Sequence, residues 1–475
     1  MENALEYQQI GIKLRTALGA SFGGHCVLPS SDGYDDSRRV WNGMVDKRPA
    51  LVAYCESAED VGAAVRAAQE VGVPLSVRGG GHQVAGLSVA DGALTIDLSR
   101  LNAVSLSADG EVSRAGGGCL LGHVDAGNAR QGRLVPAGVV SHTGLGGLAL
   151  GGGFGWTHRN FGLTCDNILA AQVVTADGAI VRAGEGGDED LLWALRGGGG
   201  NFGVVTEFEL KTYPVRDVLF GQAVFTLDQL ATAVGHYVTT IDDVPDQLTA
   251  ICITSLCPPM PGVPLELVGT PVVCINAVWS GDLAAGDEPM RRLIESAGPV
   301  VAHVERMPYV AVQSMQDALH PHGRRNYNKS RYLVSVDDSA VKALRAAAET
   351  LPSRFSQIEI LRMGGAVGRV ADDAMAFANR GAAYVLNVVA QWEDAGQTDE
   401  LVSWARQVYA GFDGVGSDAG YINFIDDEPD RARSVYPPRT YARLQQTKLR
   451  LDPASVFRGN VPIVPASVRP RSAAQ

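Results

Sequence analysis

The run Ser76-Val77-Arg78-Gly79-Gly80-Gly81-His82-Gln83-Val84-Ala85-Gly86 decides how the rest of the chain is read. Leu75, Ser76 and Val77 read as the end of a strand, after an amphipathic helix from Ala58 to Gly72 and a turn at Pro74. Gly79, Gly80 and Gly81 have no Cβ, so the backbone can take unusual dihedrals and turn successive N–H groups toward an anion. Arg78 adds charge beside that nest, and a diphosphate is the guest it suits. His82 has two readings on these residues alone. It is a turn histidine bonded to backbone, or a covalent anchor, because neutral imidazole is a competent nucleophile.

At 475 residues the chain exceeds one ordinary core, and two or three domains are expected. Its 46% hydrophobic and 19% charged residues suit a soluble globular protein. Fifty-two acidic against 40 basic residues give a net charge of −12, which argues against a nucleic-acid partner. No run approaches the ~20 apolar residues of a membrane span. The start, Met1-Glu2-Asn3-Ala4-Leu5-Glu6-Tyr7, lacks a basic region followed by an apolar core, so no secretory leader is expected. Seven scattered cysteines form neither a disulfide framework nor a zinc pattern, and a cytoplasmic location fits best.

Outward from the central run, the first part of the chain alternates strands and helices. A helix is expected over Glu6 to Leu18, strands over Ala50 to Tyr54 and Leu94 to Leu98, and a helix over Leu120 to Gln131. A second glycine-dense block covers 136 to 167. Within it Gly144, Gly146 and Ala149 match the G-x-G-x-x-A dinucleotide pattern, with Asp166 roughly 20 residues on. That match is misleading, because the block is glycine-rich at both ends and Asp166 falls in a loop. Extended backbone lying against a large flat ligand explains the block better. A hairpin from Ile168 to Arg182, with its turn at Asp177-Gly178, leads to a short helix and then to Asn201-Phe202-Gly203-Val204-Val205.

From about 215 to 415 strands such as Leu219 to Phe225 and Val272 to Trp279 alternate with helices such as Ala340 to Leu351, for which Ser339 is the expected N-cap. An antiparallel sheet with helices on one face is predicted. Acidic clusters at Asp188 to Asp190 and Asp426 to Asp430 read as solvated surface.

Four motifs occur together and in order: Arg-Gly-Gly-Gly-His at 78 to 82, the 136 to 167 block, Arg-Gly-Gly-Gly-Gly-Asn-Phe-Gly-Val-Val at 196 to 205, and a C-terminal Lys-x4-Pro-x3-Phe-x2-Asn spacing beginning at Lys448. Together they resemble the berberine-bridge-enzyme-like FAD oxidases of the vanillyl-alcohol-oxidase/PCMH superfamily, over nearly the whole chain. The wording is nearest to the bacterial branch with 6-hydroxynicotine oxidase and polyketide-tailoring oxidases.

The resemblance implies an α+β fold: a two-subdomain PCMH-type FAD-binding domain over 1–214, a helix-covered antiparallel-sheet substrate domain over 215–415, and a segment over 416–475 that returns to the FAD domain. It implies that Gly79 to Gly81, with Arg78, Gln83 and Gly86, grip the pyrophosphate, and that His82 is joined to the flavin 8α-methyl. Gly138, Val139, Val140, Thr143, Gly144, Gly146 and Gly147 would line the isoalloxazine, with Gly153 nearby. Asn201, Gly203, Val204 and Val205 would lie on the adenine side, and Tyr421, Asn423 and Asn460 would complete the site. Relatives with a second covalent bond use a cysteine where this chain has Val140, so a single attachment through His82 is implied. Cys119 and Cys165 then read as small buried hydrophobes. The tyrosines that plant members use are Phe161 and Phe424 here, so a phenolate base at those positions is excluded.

The implied chemistry is oxidation of an alcohol, amine or phenolic C–H by hydride transfer to flavin. O2 is the acceptor, and the substrate is a secondary-metabolite or catabolic small molecule. A base is needed for an O–H or N–H proton. Glu359, in Gln357-Ile358-Glu359-Ile360, points opposite to its apolar neighbours if this is a strand, and is either a desolvated base or an exposed strand residue. Arg324, Arg325, Tyr327 and Lys329 form a basic-aromatic strand whose alternate members meet the substrate or line a solvated edge; Tyr327 is the second candidate base. Asn423 is expected to position substrate or flavin. Thr143, just before Gly144, is expected to gate oxygen. Its hydroxyl keeps open an oxygenating outcome, and a dehydrogenase with another acceptor is the remaining alternative.

Overall fold

The computed structural model describes residues 2–260, 262–417, 419–425 and 432–467. The acidic cluster at 426–430 lies outside the described residues. Three sheets organise the chain. The first has four strands in the order His25–Val27, Leu51–Tyr54, Leu94–Asp97 and Leu75–Arg78; its first pair is antiparallel and the others are parallel. The second is a five-stranded antiparallel sheet ordered Val104–Leu106, Val112–Gly116, Val204–Lys211, Ile168–Val174 and Ile180–Gly184. The third has seven antiparallel strands ordered Val301–Pro308, Asp217–Thr226, Pro271–Trp279, Leu248–Leu256, Gln357–Arg362, Tyr384–Trp392 and Arg325–Leu333. The fold is α+β.

Local chemistry sets the elements that lead to the central run. The helix Ala58–Val71 starts where Ser57 accepts a hydrogen bond from Asp60 N at 3.1 Å and ends at Gly72, whose φ of 74° closes the last turn. Val61, Ala64, Val65 and Ala68 form its buried stripe. The strand Leu75–Arg78 then delivers Gly79 to the edge of the first sheet.

The seven-stranded sheet has two different faces. On one, Ile358, Ile360, Leu386 and Val388 pack with Tyr237, Leu293, Leu344 and Trp404 from four helices. The opposite face carries Glu359 and Asn387, directly paired across neighbouring strands. The expected cap at Ser339 is corrected: the helix begins at Asp338, and Asp337 accepts from Ser339 N and Ala340 N at 2.9 and 3.0 Å. A carboxylate two residues earlier reaches both free N–H groups, which the serine side chain cannot do once it lies inside the helix. Asp188, in the other acidic cluster, caps the helix Glu189–Leu195 and pairs with Arg450, and Asp190 pairs with Arg443.

Candidate active site

The two glycine blocks meet backbone to backbone. A Cβ at Gly80 would lie 2.4 Å from Gly144 N, and one at Gly144 would lie 2.3 Å from Gly80 N. Any side chain at either position would force the loops apart, which explains both glycines by close approach. Leu121 N donates to Thr143 O and Leu145 N to Cys119 O, so the segment before and after Gly144 is pinned to the chain at 119–121. Together these loops floor a cleft of about 380 Å³.

Most of the expected site residues line this one cleft. Gly79, Gly80, Gly81, His82 and Gln83 stand beside Gly138, Val139, Val140, Thr143, Gly144, Gly146 and Gly147, with Gly203, Val204 and Val205 further along. Glu359 overhangs them, and Tyr421, Asn423 and Asn460 close the side.

His82 is half-buried at the end of the nest. The Trp41 ring stacks on it at 4.2 Å and 17°, and its Nε2 lies 3.0 Å from His142 Nδ1. Burial first, and then the neighbouring His142, His320 and His322, hold its pKa well below the usual imidazole value. His82 is therefore neutral, the form in which a ring nitrogen keeps a lone pair for bonding.

Glu359 is a half-buried carboxylate held from two sides. Gln357 Nε2 donates to Oε1 at 2.7 Å and Asn387 Nδ2 to Oε2 at 2.8 Å. Burial raises its pKa, while these two hydrogen bonds pull it back. Asn328, Asn387 and Gln391 come from the two strands beyond Glu359 and line the same cleft. Tyr421 packs between Phe154 and Phe424, and its hydroxyl accepts from Gly153 N at 2.6 Å and Asn423 Nδ2 at 2.9 Å. Burial pushes that phenol well up, so it stays protonated and positions Asn423.

Five expected residues lie elsewhere. Tyr327 is corrected outright: it pairs with Ala390 in the register, faces the helices, and receives a 3.0 Å hydrogen bond from Arg406 Nε. Strand alternation puts Tyr327 and Lys329 on one face, and that face is turned away from the cleft. Arg78 does not charge the nest, because its side chain is buried in an ion pair with Asp97. Gly86 packs on Val45, and Gly153 on Thr164. Asn201 is fully buried outside the cleft, where its amide donates to Gly198 O and Val461 O and accepts from Gly459 N and Ile463 N. It fastens the C-terminal segment to the glycine loop.

Other residues of the site had little sequence signal. Lys448 is completely buried and donates to Asn201 O, Phe457 O and Asp452 Oδ2 at 2.6, 2.7 and 2.5 Å. Its motif spacing was visible, but its partners are mostly backbone. Asn387 and Gln391 sit in a strand buried along its length, which reads as an apolar run. Asp166 forms a buried pair with Arg380 at 2.5 Å and so is committed to structure rather than to a ribose. Cys119 and Cys165 are buried thiols, the former pushed up to about 11 by burial, and neither lines the cleft.

The residues present fit a long, flat, phosphate-bearing ligand. A Cβ at Gly147 or Gly200, both on the cleft wall, would meet no protein atom within 4 Å and would stand in the ligand's space. Gln83 Nε2 and Asn460 Oδ1, also on the wall, are buried polar atoms without a protein partner.

The FAD binding domain family model matches residues 49–184. The chain is 28% identical over 470 residues to (R)-6-hydroxynicotine oxidase of Paenarthrobacter nicotinovorans, covering 95% of this chain and 99% of that one. Its fold is that of wild-type BBE-like 1 from Physcomitrella patens, with a TM-score of 0.85 and 24% identity over 96% of this chain and 100% of that chain. It is equally that of glucooligosaccharide oxidase from Acremonium strictum, described with 6-S-cysteinyl, 8α-N1-histidyl FAD; there the TM-score is 0.83 with 24% identity over 96% and 100%. The cleft, the matched domain and the full-length relative agree: the chain is an FAD-linked oxidoreductase, built on the fold of the berberine-bridge-enzyme-like oxidases.

Proposed function

We propose that this protein is an oxidase that holds FAD through a single covalent bond at His82 and oxidises an alcohol, amine or phenolic carbon of a small molecule, with O2 as the final acceptor. The observation that carries the proposal is Glu359, a half-buried carboxylate of raised pKa facing the glycine floor across the cleft. When bound, FAD supplies the two-electron acceptor for the hydride from carbon. Glu359 takes the O–H or N–H proton, its two amide partners fixing which oxygen faces the substrate. Asn387 and Gln391 orient the substrate, and Asn423 holds the edge of the floor through Leu148 O at 3.0 Å. The nest at 79–81 grips the diphosphate, and 203–205 with Asn460 hold the adenine end. The domain boundaries at 214/215 and 415/416 belong to the same proposal.

Single attachment is supported by Val140 standing where a cysteine would be required, and by the absence of any thiol from the cleft wall among the described residues. His82→Ala is expected to abolish the fluorescent band of denatured protein on a gel while leaving some non-covalent FAD. Covalent flavin surviving in that variant rejects the anchor. The activity is tested by anaerobic bleaching of the protein's flavin against a panel of alcohols, cyclic amines and aromatic polyketides. Glu359→Gln should slow that reduction by ~10²–10⁴-fold with flavin content unchanged; reduction at the wild-type rate removes Glu359 as the base.

A further inference from the structure

Three imidazoles cluster beside the cleft, the His82 and His322 ring centres 5.0 and 4.9 Å from that of His142 and 6.3 Å from one another. His82 Nε2 lies 3.0 Å from His142 Nδ1. His322 is exposed, whereas His82 and His142 are half-buried. Among the described residues no three such side chains are arranged to hold a metal ion. Nothing in the proposed turnover uses His142 or His322.

An imidazole that forms a bond through one nitrogen must release the proton on the other, or remain as a cation with little access to water. Nε2 of His82 faces His142, which leaves Nδ1 to make the bond. Trp41, stacked on the ring, prevents it from turning to exchange the two nitrogens. We infer that His142 accepts the Nε2 proton of His82 as the flavin bond forms and passes it to solvent through His322. These two histidines are therefore positioning residues for cofactor attachment. The inference rests on His82 being the attachment point.

The step balances as a two-electron oxidation. The Nδ1–C bond to the ring methyl forms, one methyl C–H and the imidazole N–H break, and two protons are released. The two electrons pass by way of the cofactor to dioxygen, which takes up two protons to give hydrogen peroxide, so the protons released are balanced.

The surroundings favour this direction of transfer. His320, near both rings, is held down to about 4 by burial and by Arg324 and His142, so it stays neutral. Its Nδ1 is engaged by Gln391 Nε2 at 2.9 Å. Asp317 accepts from Ser141 N and Ser141 Oγ at 2.8 and 2.6 Å, placing a carboxylate on the residue next to His142. Arg324 is turned toward Leu319 O, Gln391 and Glu393.

The test uses full-length protein from riboflavin-starved cells, with FAD added in air and the covalent adduct followed by intact mass. His142→Gln should form the adduct ~10²-fold more slowly at neutral pH, the lower end for a lost proton acceptor. Imidazole in the buffer should restore the rate in His142→Ala. His322→Gln, a change at an exposed ring, should slow attachment less and respond to the same rescue. Wild-type rates in His142→Gln, or an FAD-binding His142→Ala that imidazole does not rescue, overturn the relay. If neither His142 variant folds, an unchanged rate in His322→Gln overturns it and a rescued slowing supports it. Adduct in His82→Ala would place the failure in the attachment site itself.

Discussion

Thr143 is half-buried on the cleft wall, one residue before the contact between Gly144 and Gly80. Bulk can be added there without touching the phosphate nest. Thr143→Leu should leave anaerobic reduction nearly unchanged and slow reoxidation in air. Equal reoxidation rates would mean that oxygen arrives by another route. Thr143→Val keeps the shape and removes the hydroxyl, so loss of an oxygenated product in that variant alone would favour the oxygenating alternative. With Glu359 as the base, the rate of reduction should rise with pH through its raised pKa, since only the ionised form accepts a proton, and that dependence should flatten in Glu359→Gln. Glu359 was legible because strand alternation separates it from Ile358 and Ile360. Tyr327 obeys the same alternation, yet was misplaced. Period-2 patterning says which residues share a face and not which face looks onto the cleft.

At the scale of elements, the C-terminal helix Pro438–Leu451 is fastened to the glycine loop by one lysine. Lys448→Met should destabilise the protein by about 3–5 kcal/mol, because Asp452 would remain buried without its partner. Thermal melting checks the loss, and FAD retention on gel filtration checks its local effect, since Asn201 and Phe457 both lie at that end. A melt within 1 kcal/mol of wild type, on the order of a surface substitution, would remove the lysine from this role. The helix and the motif spacing were visible in the chain. The purpose of Lys448 was not, because a carbonyl acceptor such as Asn201 O leaves no trace in residue type. Asp337 was missed as a cap for a related reason: two adjacent acidic residues and a serine all satisfy the same local preference, and only the geometry of the first turn selects among them.

At the scale of the whole molecule, a buried polar link joins the halves. Asp125, in the helix Leu121–Ala129, accepts from Gln313 Nε2 at 3.3 Å, and the same amide donates to Gly138 O at 3.0 Å. Burial pushes the Asp125 carboxyl from its ordinary 3.8 up to about 7, with Gln313 pulling it back and Asp317 adding to the rise. The folded protein thus keeps a proton that the unfolded chain releases. That stabilisation is complete below about pH 3.8 and is lost as pH rises to about 7. Asp125→Asn should remove this part of the pH dependence, seen as a shallower fall in unfolding free energy across that window; an unchanged slope would mean that Asp125 is ionised in the folded state. The helix-covered antiparallel sheet was legible from periodicity and the α+β class from the family resemblance, but the strand order was not, since it depends on pairings far apart in sequence, such as Leu248–Leu256 with Gln357–Arg362. The contact between Gly80 and Gly144 divides labour across the cleft. Its floor is main chain locked against main chain, where no pair of side chains can compensate for another. The opposite wall is built of side chains, among them the amides of Asn328, Asn387 and Gln391. New substrate preferences are therefore open to a designer on the sheet, while any side chain placed at Gly80 or Gly144 would part the two loops that make the floor.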